Sequence, residues 1–416
     1  MTDGPDENTA GLFAGPLAGL RVLDLSIIVA GGTASSLMAD FGAEVVKVER
    51  PGSGDPLRNW GPFYNGVSLW WKVHSRNKQS ITLNMASPEG QDLLKRLASQ
   101  ADVLIEGFRP GTLERWNLGP ADLHAAAVNP GLVIMRFSGF GQTGPYKDRP
   151  GFGTIAECMS GYIGMTGFPD TPPNLPPIPL ADEIAGVFGA MAGMMAIYRR
   201  DADRRSGLPG AGQVVDLSLF EPLFRLCIPH LTIYDKLGEI RERVGNDFPD
   251  AAPRSLYRTG DDRWLGLSAT SQNTWEGLAR AMGLDALLDD PRFGNNAARL
   301  ENKDALNEIL QAWLGSRRTD GIMDELIPAG GVVGPVYNSA HIMADPHYME
   351  RDDIVDLDDP ELGETKMLGL VPKFSDTPGE LRHMGPTIGQ HNADVYGGWL
   401  GLDDDDLASL SADGII

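Results

Sequence analysis

The chain is poor in cysteine and histidine. Two of its 416 residues are cysteines, Cys158 and Cys227, which argues against a disulfide framework and a Cys-x-x-Cys metal site. The seven histidines have no His-Glu-x-x-His or similar spacing, so we predict no metal site. Low cysteine usage is typical of a reducing compartment, and a cytoplasmic protein is expected.

Positive charge is also scarce. The chain has 35 Lys and Arg against 57 Asp and Glu, a formal net charge of −22. A protein this acidic repels nucleic acid and anionic membranes, so neither is an expected partner. An anionic ligand would have to bind at a local basic patch.

No targeting segment is expected from the sequence, and apolar runs are short. The first residues, MTDGPDENTAGLFAG, are acidic and have no basic start followed by an apolar stretch, so we expect a loose tail over residues 1 to about 16 and no signal peptide. The longest apolar run, 184–198, falls short of the about 20 residues that span a bilayer.

Strand and helix patterns alternate in the first half of the chain. Residues 20–26 and 43–49 predict buried strands, joined by a glycine turn and a helix. Residues 87–100 predict a helix with Ser87 as N-cap, and 101–108 the next strand. This alternation predicts an α/β fold with a parallel, Rossmann-like sheet.

The pattern changes in the middle of the chain. A helix at 182–200 and a strand at 213–219 precede a stretch with two helical segments and one strand. We therefore predict a large domain over 1–220, a smaller α+β domain over 221–330, and a segment 331–416 that returns to the large domain.

Two turns near the predicted strand ends leave alternatives open. The turn AGGTAS at 30–35 lacks the GxGxxG fingerprint, so it is either a tight connection or a set of backbone N–H groups facing a ligand oxygen. After the second strand, Glu49 is placed to hold a ribose, whereas Arg50 and Arg58 suit a phosphorylated ribose. A merely charged surface loop is the other interpretation.

Basic residues recur in three turns of this acidic chain, at 75–80, 108–115 and 146–151. Turns after parallel strands collect at one edge of a sheet, so these cations can converge on one polyanionic ligand. The alternative is that each cation is solvated in its own loop.

Asp182 and Glu183 stand at the head of a long small-residue and apolar stretch, IPLADEIAGVFGAMAGMMAIYRR at 178–200. One interpretation is that Asp182 is a plain helix N-cap. The other is a partly desolvated carboxylate that acts as a nucleophile or base.

A series of short motifs, taken in order along the chain, resembles the class III CoA-transferases, the relatives of formyl-CoA transferase and carnitine CoA-transferase. The resemblance runs from about residue 17 to the end of the sequence and implies a homodimer of two interlocked ring-like chains. Each chain would have a Rossmann-like large domain built from both ends and a small domain between them. The motifs include LMADFGAEVVKVERPGSGD, ADVLIEGFRPGTLERWNLG, RPGFGTIAECMSGYIGMTG, LADEIAG and GAGQVVDLSLFE.

The resemblance implies that Asp182 is a covalent nucleophile. Its carboxylate would attack an acyl-CoA thioester to give a mixed anhydride and then an aspartyl-CoA thioester, which a second carboxylic acid reverses. The partners are then acyl-CoA, with succinyl-CoA as expected donor, and a small carboxylic acid, with no tightly bound cofactor. Glu183 is expected to face solvent or to pair locally.

The resemblance also implies a set of CoA-binding positions. They lie in the first turn, at a phosphate contact after the second strand, in an adenine-binding backbone stretch and in two later loops. The residues are Val29, Ala30, Arg50, Leu83, Asn84, Gly107, Phe108, Arg109, Arg115 and Arg149.

Other functions, within this family and outside it, fit the sequence less well. An acyl-CoA racemase or epimerase needs two proton-transfer groups, and Phe152 stands where related racemases have a histidine. Formyl-CoA transferase has a glutamine where this chain has Val29. A noncatalytic acyl-CoA-binding protein would not need Asp182, and a nicotinamide dehydrogenase is disfavoured by the missing GxGxxG and by Arg50.

Overall fold

The computed structural model describes residues 15–416. The predicted loose tail and the acidic leader therefore lie almost wholly outside the described residues. The chain divides into two compact units. Unit 1 takes the described residues up to Tyr162 together with Pro176–Pro229 and His347–Ile416, and unit 2 takes Ile163–Leu175 and His230–Pro346. The segment 163–175 joins unit 2 although no sequence pattern predicts it.

The elements follow one another in chain order, with one 3-10 turn at Pro56–Asn59. Up to residue 165 they are β1 (Arg21–Leu25), α1 (Ala30–Asp40), β2 (Glu44–Glu49), β3 (Phe63–Tyr64), β4 (Val67–Ser68), α2 (Leu69–His74), β5 (Gln79–Thr82), α3 (Pro88–Ala98), β6 (Val103–Glu106), α4 (Thr112–Arg115), α5 (Pro120–Leu123), β7 (Val133–Ser138), α6 (Gly153–Met159) and α7 (Tyr162–Met165). From residue 180 to 335 they are α8 (Leu180–Arg205), β8 (Val214–Ser218), α9 (Phe220–Leu226), α10 (His230–Leu237), β9 (Arg254–Arg258), β10 (Trp264–Ser268), α11 (Gln272–Ala281), α12 (Ala286–Asp289), α13 (Asn296–Glu301), α14 (Lys303–Gly315), α15 (Thr319–Leu326) and β11 (Val333–Pro335). The last are α16 (Ser339–Ala344), α17 (Pro346–Glu350), β12 (Ile354–Asp359), β13 (Gly363–Leu368), α18 (Asn392–Leu400) and α19 (Asp404–Ala412).

Unit 1 is built on a parallel sheet of six strands in the order β5-β2-β1-β6-β7-β8. Leu23 of β1 lies opposite Val46 of β2 and Leu104 of β6. Strands buried on both faces favour apolar residues, and the central strands β1, β2, β6 and β7 are at least half apolar, with the buried charges Asp24, Lys47 and Arg136 among them. The predicted α/β fold with a parallel sheet is confirmed.

The two faces of the sheet bury separate cores because successive side chains point to opposite sides. One face, with Leu23, Leu104 and Ile134, packs under α3 and α18. The other, with Val22 and Met135 among others, packs under α1 and α8. The strand order turns back between β1 and β6, so the loops that leave their carboxyl ends diverge and leave a crevice between them.

Helix α8 lies close to its neighbours through glycines. A Cβ on Gly186 would lie 2.7 Å from the carbonyl oxygen of Ala30 in α1, and one on Gly193 would lie 2.7 Å from the sulfur of Met135. These spaces have no room for side chains. The glycines therefore set the distance between α8, α1 and the sheet.

Helix α8 extends beyond both ends of the apolar run at 184–198. It spans 26 residues, and by length and composition alone its 18-residue window of mean hydropathy 1.5 is apolar enough to cross a membrane. Within unit 1, Ala181, Ala185, Ala196 and Ile197 pack into the core of the sheet. The core helices of globular proteins pass the same test.

The last part of the chain returns to the open edge of the sheet at β5. Asn392 accepts a hydrogen bond of 2.9 Å from the N–H of Thr82, and the hydroxyl of Tyr396 donates one of 2.8 Å to the Thr82 carbonyl. The N–H of Asn84 donates to the carbonyl of Ile415 at 2.7 Å. The edge strand is thus covered by α18 and the segment after α19.

Unit 2 has its own antiparallel sheet, of order β11-β10-β9, packed against helices that include α11, α14 and α15. Arg299 is fully buried in this unit. Its guanidinium donates to the carbonyls of Ala252 and Phe293 and to the side chain of Gln272, so it ties three segments of unit 2 together.

Candidate active site

A cleft of about 300 Å³ opens at the carboxyl edge of the sheet in unit 1. Its walls come from the loops after β1, β6 and β7, where the strand order turns back, a place at which α/β sheets bind ligands. The lining includes Ile27, Gly107–Pro110, Ser138, Gly139 and Lys147, followed by Arg149–Phe152.

Four of the residues implied to bind CoA share this cleft, namely Gly107, Phe108, Arg109 and Arg149. Lys147 joins them; the sequence placed it in a basic turn without singling it out. The guanidinium carbon of Arg149 lies 3.5 Å from the ring centroid of Tyr146, which fixes its direction by stacking. Two of the three basic turns therefore converge, and they form a local basic patch on an acidic protein.

The third basic turn, 75–80, serves the structure of unit 1 and does not join the cleft lining. Arg76 pairs with Asp40 at 2.6 Å. Lys78 is buried, donates to the carbonyl of Gly32 at 2.9 Å and lies 3.3 Å from Asp24. Neither interpretation of the basic turns, convergence on one ligand or solvation in the loop, applies to Arg76 and Lys78, because both have partners inside unit 1.

The loop after β6 is held in place by a charge-assisted chain. Glu106 accepts the N–H of Phe108 at 2.7 Å and the Nε–H of Arg136 at 2.7 Å. Arg136 also pairs with Glu114 at 2.8 Å. Arg115 is exposed and donates to the Thr112 hydroxyl at 2.9 Å, beside the cleft lining and not within it.

The end of β2 corrects one interpretation of the sequence. Glu49 is buried and receives Arg58 through two hydrogen bonds of 2.7 Å each. Arg58 also stacks 3.6 Å from the Trp71 ring. Neither side chain is available for a ribose or its phosphate. Arg50 is exposed, and its phosphate contact stays a prediction.

The predicted adenine stretch lies beside the returning chain. The side chain of Leu83 is buried in the core of unit 1, and its N–H donates to the carbonyl of Glu49 at 2.8 Å. Asn84 is half-buried, and its N–H is engaged by Ile415. Both backbone donors are used within the chain, and a contact to adenine by these residues stays a prediction.

The turn between β1 and α1 is strained and firmly held. Ile28 has φ of 63°, a left-handed conformation that β-branched residues rarely adopt. Its N–H lies 3.3 Å from Oδ1 of Asp55, and Asp55 pairs with the buried Lys47 at 2.9 Å. Lys47 also lies 3.6 Å from Asp24. This buried charge network fixes the turn where the chain enters α1.

Val29 and Ala30, implied to approach the thioester, lie at that entry. Both side chains are buried, so they can meet a ligand only through the backbone. Helix α1 starts without a side-chain cap, and its first N–H groups lack that partner. Whether Val29 and Ala30 face the thioester stays a prediction.

Asp182 is the third residue of α8, and Pro179 occupies the N-cap position. The interpretation of Asp182 as an N-cap is therefore wrong. Its carboxylate lies against the start of α6, since a Cβ on Gly153 would overlap Oδ2 and lie 3.0 Å from Cγ. Gly153 directly follows Gly151 and Phe152 of the cleft lining, so the carboxylate lies beside the end of the cleft.

The pKa of Asp182 is raised to about 7, mainly by burial and then by the nearby carboxylates of Glu157 and Glu183. A carboxylate of higher proton affinity is a better nucleophile once it is ionised. Strongly perturbed groups at a cleft are typical of catalytic residues. Asp182 thus has the position and the electrostatics of a nucleophile or base.

Glu183 pairs locally with α1. The Thr33 hydroxyl donates to Oε2 of Glu183 at 2.9 Å and lies 3.0 Å from Nε2 of His74. Because the hydroxyl proton goes to Glu183, His74 supplies its Nε2–H to Thr33. Burial and the adjacent Lys78 lower the pKa of His74 to about 3, so the imidazole is neutral.

Sequence reasoning missed Gly153, Glu157 and Thr33. A signal for one of them was present, because Glu157 is the only charged residue between Arg149 and Asp170. Within residues 15–416, no group of three or more His, Cys, Asp or Glu side chains is arranged to hold a metal ion. Phe152 lines the cleft and is 68% exposed; a phenyl ring cannot transfer the proton that a racemase requires.

Comparisons with known proteins agree with one another. A model of CoA-transferase family III matches residues 17–392. Succinyl-CoA–D-citramalate CoA-transferase of Chloroflexus aurantiacus is 44% identical over 402 residues, which cover 96% of this chain and 98% of that protein. The β subunit of succinyl-CoA–L-malate CoA-transferase from the same organism is 36% identical over 405 residues, 96% of this chain and 98% of that one.

A solved structure extends the similarity to the fold. The crystal structure of a CAIB/BAIF family protein from Brucella suis superposes with a TM-score of 0.80 at 30% identity, covering 93% of this chain and 100% of that chain.

Proposed function

Because this chain belongs to CoA-transferase family III, we propose that it moves CoA from succinyl-CoA to a free dicarboxylic acid, with Asp182 as the covalent nucleophile. The observation that carries the proposal is the half-buried Asp182 carboxylate, with a pKa raised to about 7, at the end of a basic cleft. The names of the two Chloroflexus relatives support succinyl-CoA as donor and a citramalate-like or malate-like acid as acceptor.

The reaction needs four displacements at acyl carbons. The Asp182 carboxylate attacks the succinyl thioester carbonyl, the carbon–sulfur bond breaks, and CoA leaves as a thiolate with a mixed anhydride on Asp182. The thiolate attacks the aspartyl carbon and releases succinate, which leaves an aspartyl-CoA thioester. The acceptor carboxylate displaces the thiolate to form a second anhydride, and the thiolate then takes the acceptor acyl group and frees Asp182.

The cleft residues supply binding. Arg109, Lys147 and Arg149 of the cleft lining offer cationic donors to the phosphates of CoA. Asp182, which lies against Gly153 next to Phe152 of the lining, meets the thioester. Because hydrolysis would waste each intermediate, water has to be kept from the carboxylate. Phe152, exposed beside Gly153, is placed to cover a bound acyl group.

The proposal includes a cytoplasmic homodimer. The outer face of α8 exposes Val187, Met191, Met195 and Tyr198, the last two at 61% and 71%. Apolar side chains that recur along one exposed helix face are typical of an interface. A second copy of this chain is the proposed partner, and light scattering at micromolar concentration tests it against a monomer.

Isotope exchange tests the catalytic proposal. Succinyl-CoA and labelled succinate are incubated with wild-type protein, with Asp182→Asn and with Asp405→Asn, an exposed acidic position in α19. Label is expected to enter the thioester pool with wild type and Asp405→Asn only. D-citramalate and L-malate are then offered as acceptors. Intact-protein mass should show a CoA adduct that Asp182→Asn lacks.

Two outcomes contradict the proposal. Exchange that persists in Asp182→Asn would exclude Asp182 as nucleophile. Washout of an α-proton of the acyl-CoA into deuterated water, without label exchange, would make the protein a racemase or epimerase.

A further inference from the structure

Helix α8 begins with backbone donors that its own residues do not cap. Pro179 stands at the N-cap position and makes no side-chain hydrogen bond there. The first N–H groups of a helix need partners from elsewhere. For Ala181 the partner comes from α6, since Oε1 of Glu157 lies 3.3 Å from its N atom. A carboxylate on a different helix therefore caps the turn that carries Asp182.

The carboxylate of Glu157 lies in an unusual environment for a charged group. Its side chain is only 3% exposed, and no ion pair within residues 15–416 gives it a cationic partner at 4.0 Å or less. Burial of a carboxylate without a counter-charge is costly. A glutamine of the same shape would accept the same N–H without that cost. The hydrogen bond alone therefore does not explain a carboxylate at this position.

Gly153 and Glu157 lie on one face of α6, because positions four apart in a helix are neighbours. Gly153 leaves the space in which the Asp182 carboxylate lies. Glu157 brings a second carboxylate to the same place one turn further on. After burial, it is the largest cause that raises the pKa of Asp182.

We propose that Glu157 is a positioning residue for Asp182, which caps the start of α8 from α6 and faces the nucleophile with a second negative charge. The inference rests on the proposed role of Asp182 as nucleophile. The cap fixes the carboxylate at the end of the cleft. The negative charge of Glu157 repels the ionised Asp182 carboxylate before the reaction. Attack on a thioester removes the negative charge from Asp182, so this repulsion is relieved and bond formation is favoured.

The other charged groups around α8 differ in their relation to Asp182. Glu183 is its neighbour in sequence and is held by Thr33. His74 lies behind Thr33 and is neutral. The remaining groups lie on the packed elements below and beside the helix: Asp24 and Lys78 under α1, Asp216 in β8, and Glu221 and Arg225 in α9.

The test separates charge from cap with two variants. Glu157→Gln keeps an oxygen for the Ala181 N–H and removes the charge. Glu157→Asp keeps the charge and is too short to reach the N–H in the same way. Glu364→Gln makes the same charge change at an exposed position of β13 in unit 1 and is the matched control.

The first readout is the ionisation of Asp182 itself. In protein labelled with ¹³C at aspartate side-chain carboxyls, the resonance that is lost in Asp182→Asn is followed against pH. The wild-type midpoint is expected near 7, and Glu157→Gln should lower it by about one pH unit because a like charge is gone. This readout does not depend on CoA transfer, so it remains decisive even if the protein transfers no CoA.

The second readout is the rate of CoA-adduct formation in a single turnover with succinyl-CoA. A midpoint lowered from about 7 to about 6 raises the ionised fraction at pH 6 about fivefold. Relative to its own rate at pH 8, Glu157→Gln should therefore retain about fivefold more activity at pH 6 than wild type. Glu157→Asp should be slower at every pH and keep the wild-type midpoint.

An unchanged midpoint in a folded Glu157→Gln overturns the charge role. A wild-type rate in Glu157→Asp overturns the cap, and this variant decides the matter if Glu157→Gln does not fold. A wild-type protein that forms no CoA adduct with any acyl-CoA contradicts the proposed function instead, and the resonance midpoints then still decide the role of Glu157.

Discussion

At Gly153, the addition of one methyl group by the substitution Gly153→Ala should greatly reduce the rate of CoA transfer. A Cβ added there would overlap Oδ2 of Asp182 and lie 3.0 Å from its Cγ, whereas an ordinary contact between such atoms is about 3.5–4 Å. Either the carboxylate rotates away or the start of α6 moves, and in both cases the carboxylate shifts by roughly 1 Å relative to the cleft lining at Gly151 and Phe152. A misplacement of that size costs about 10²-fold in rate.

Although Gly153→Ala should lower activity, it should not lower the stability of the folded protein. Gly153 is the first residue of α6 and has no left-handed φ, and replacing glycine by alanine at such a position stabilises a protein by about 0.4–1 kcal/mol, because the unfolded chain has fewer conformations to lose. The overlap with the Asp182 side chain, which can be relieved by rotation about its χ angles, offsets part of that gain. We therefore expect Gly153→Ala to keep a wild-type melting temperature within a few degrees while its transfer rate falls about a hundredfold.

The assay is succinyl-CoA–succinate exchange, with thermal unfolding measured on the same samples. Gly398→Ala is the matched control, because Gly398 lies in α18 of unit 1 and a Cβ there meets nothing within 4 Å. It should leave exchange unchanged. Exchange by Gly153→Ala within threefold of wild type would refute the reasoning that Asp182 acts from the position it occupies against α6.

Two further substitutions test the framework of the cleft. Lys47→Met should destabilise the protein by about 3–5 kcal/mol in urea denaturation, because it leaves Asp55 buried without its cation; Lys366→Met, at an exposed pair on β13, should change stability by about 1 kcal/mol or less. Arg136→Met should raise the KM for acyl-CoA about tenfold, a loss of about 1.4 kcal/mol, with less effect on kcat, because Glu106, which accepts the Phe108 N–H in the loop after β6, loses the cation that orients it. A KM equal to that of the exposed control Arg280→Met would exclude this role of Arg136.

Local sequence patterns predicted several helices and strands of the fold correctly. The strand predicted at 20–26 is β1 at Arg21–Leu25, and Ser87 caps α3 as predicted. Both depend on neighbouring residues only, since apolar runs and a Ser-Pro start act within one element. The helix predicted at 182–200 extends to Arg205, because the charged residues after Arg200 are partly or fully exposed on the helix surface and do not end it.

The features that the sequence did not reveal depend on partners far apart in the chain. Glu49 was a candidate ribose ligand until Arg58 was found to occupy both of its oxygens. The basic turn at 75–80 could not be separated from the other two without the buried partners of Lys78. Burial and pairing across sheet layers decide such roles, and neither follows from residue type.

In the candidate site, too, the sequence indicated one residue from its local pattern and did not reveal those that reach it from distant segments. Asp182 stood out because a carboxylate pair begins a stretch of small residues. Glu157 and Thr33, which meet that pair from α6 and α1, are 24 and 150 residues away from their partners in sequence. Only the packing of three helices brings them together.

The return of the chain to β5 has a consequence for biosynthesis. Thr82 is joined to Asn392 and Tyr396 across 310 and 314 residues, so the edge of the large sheet stays uncovered on the ribosome until α18 has been made. Translation at about 5–20 residues per second makes that delay roughly 15–60 s. All of unit 2 is translated within this interval, so the nascent chain carries an exposed parallel edge while a second unit folds, and an uncovered edge of this kind attracts chaperones and favours aggregation.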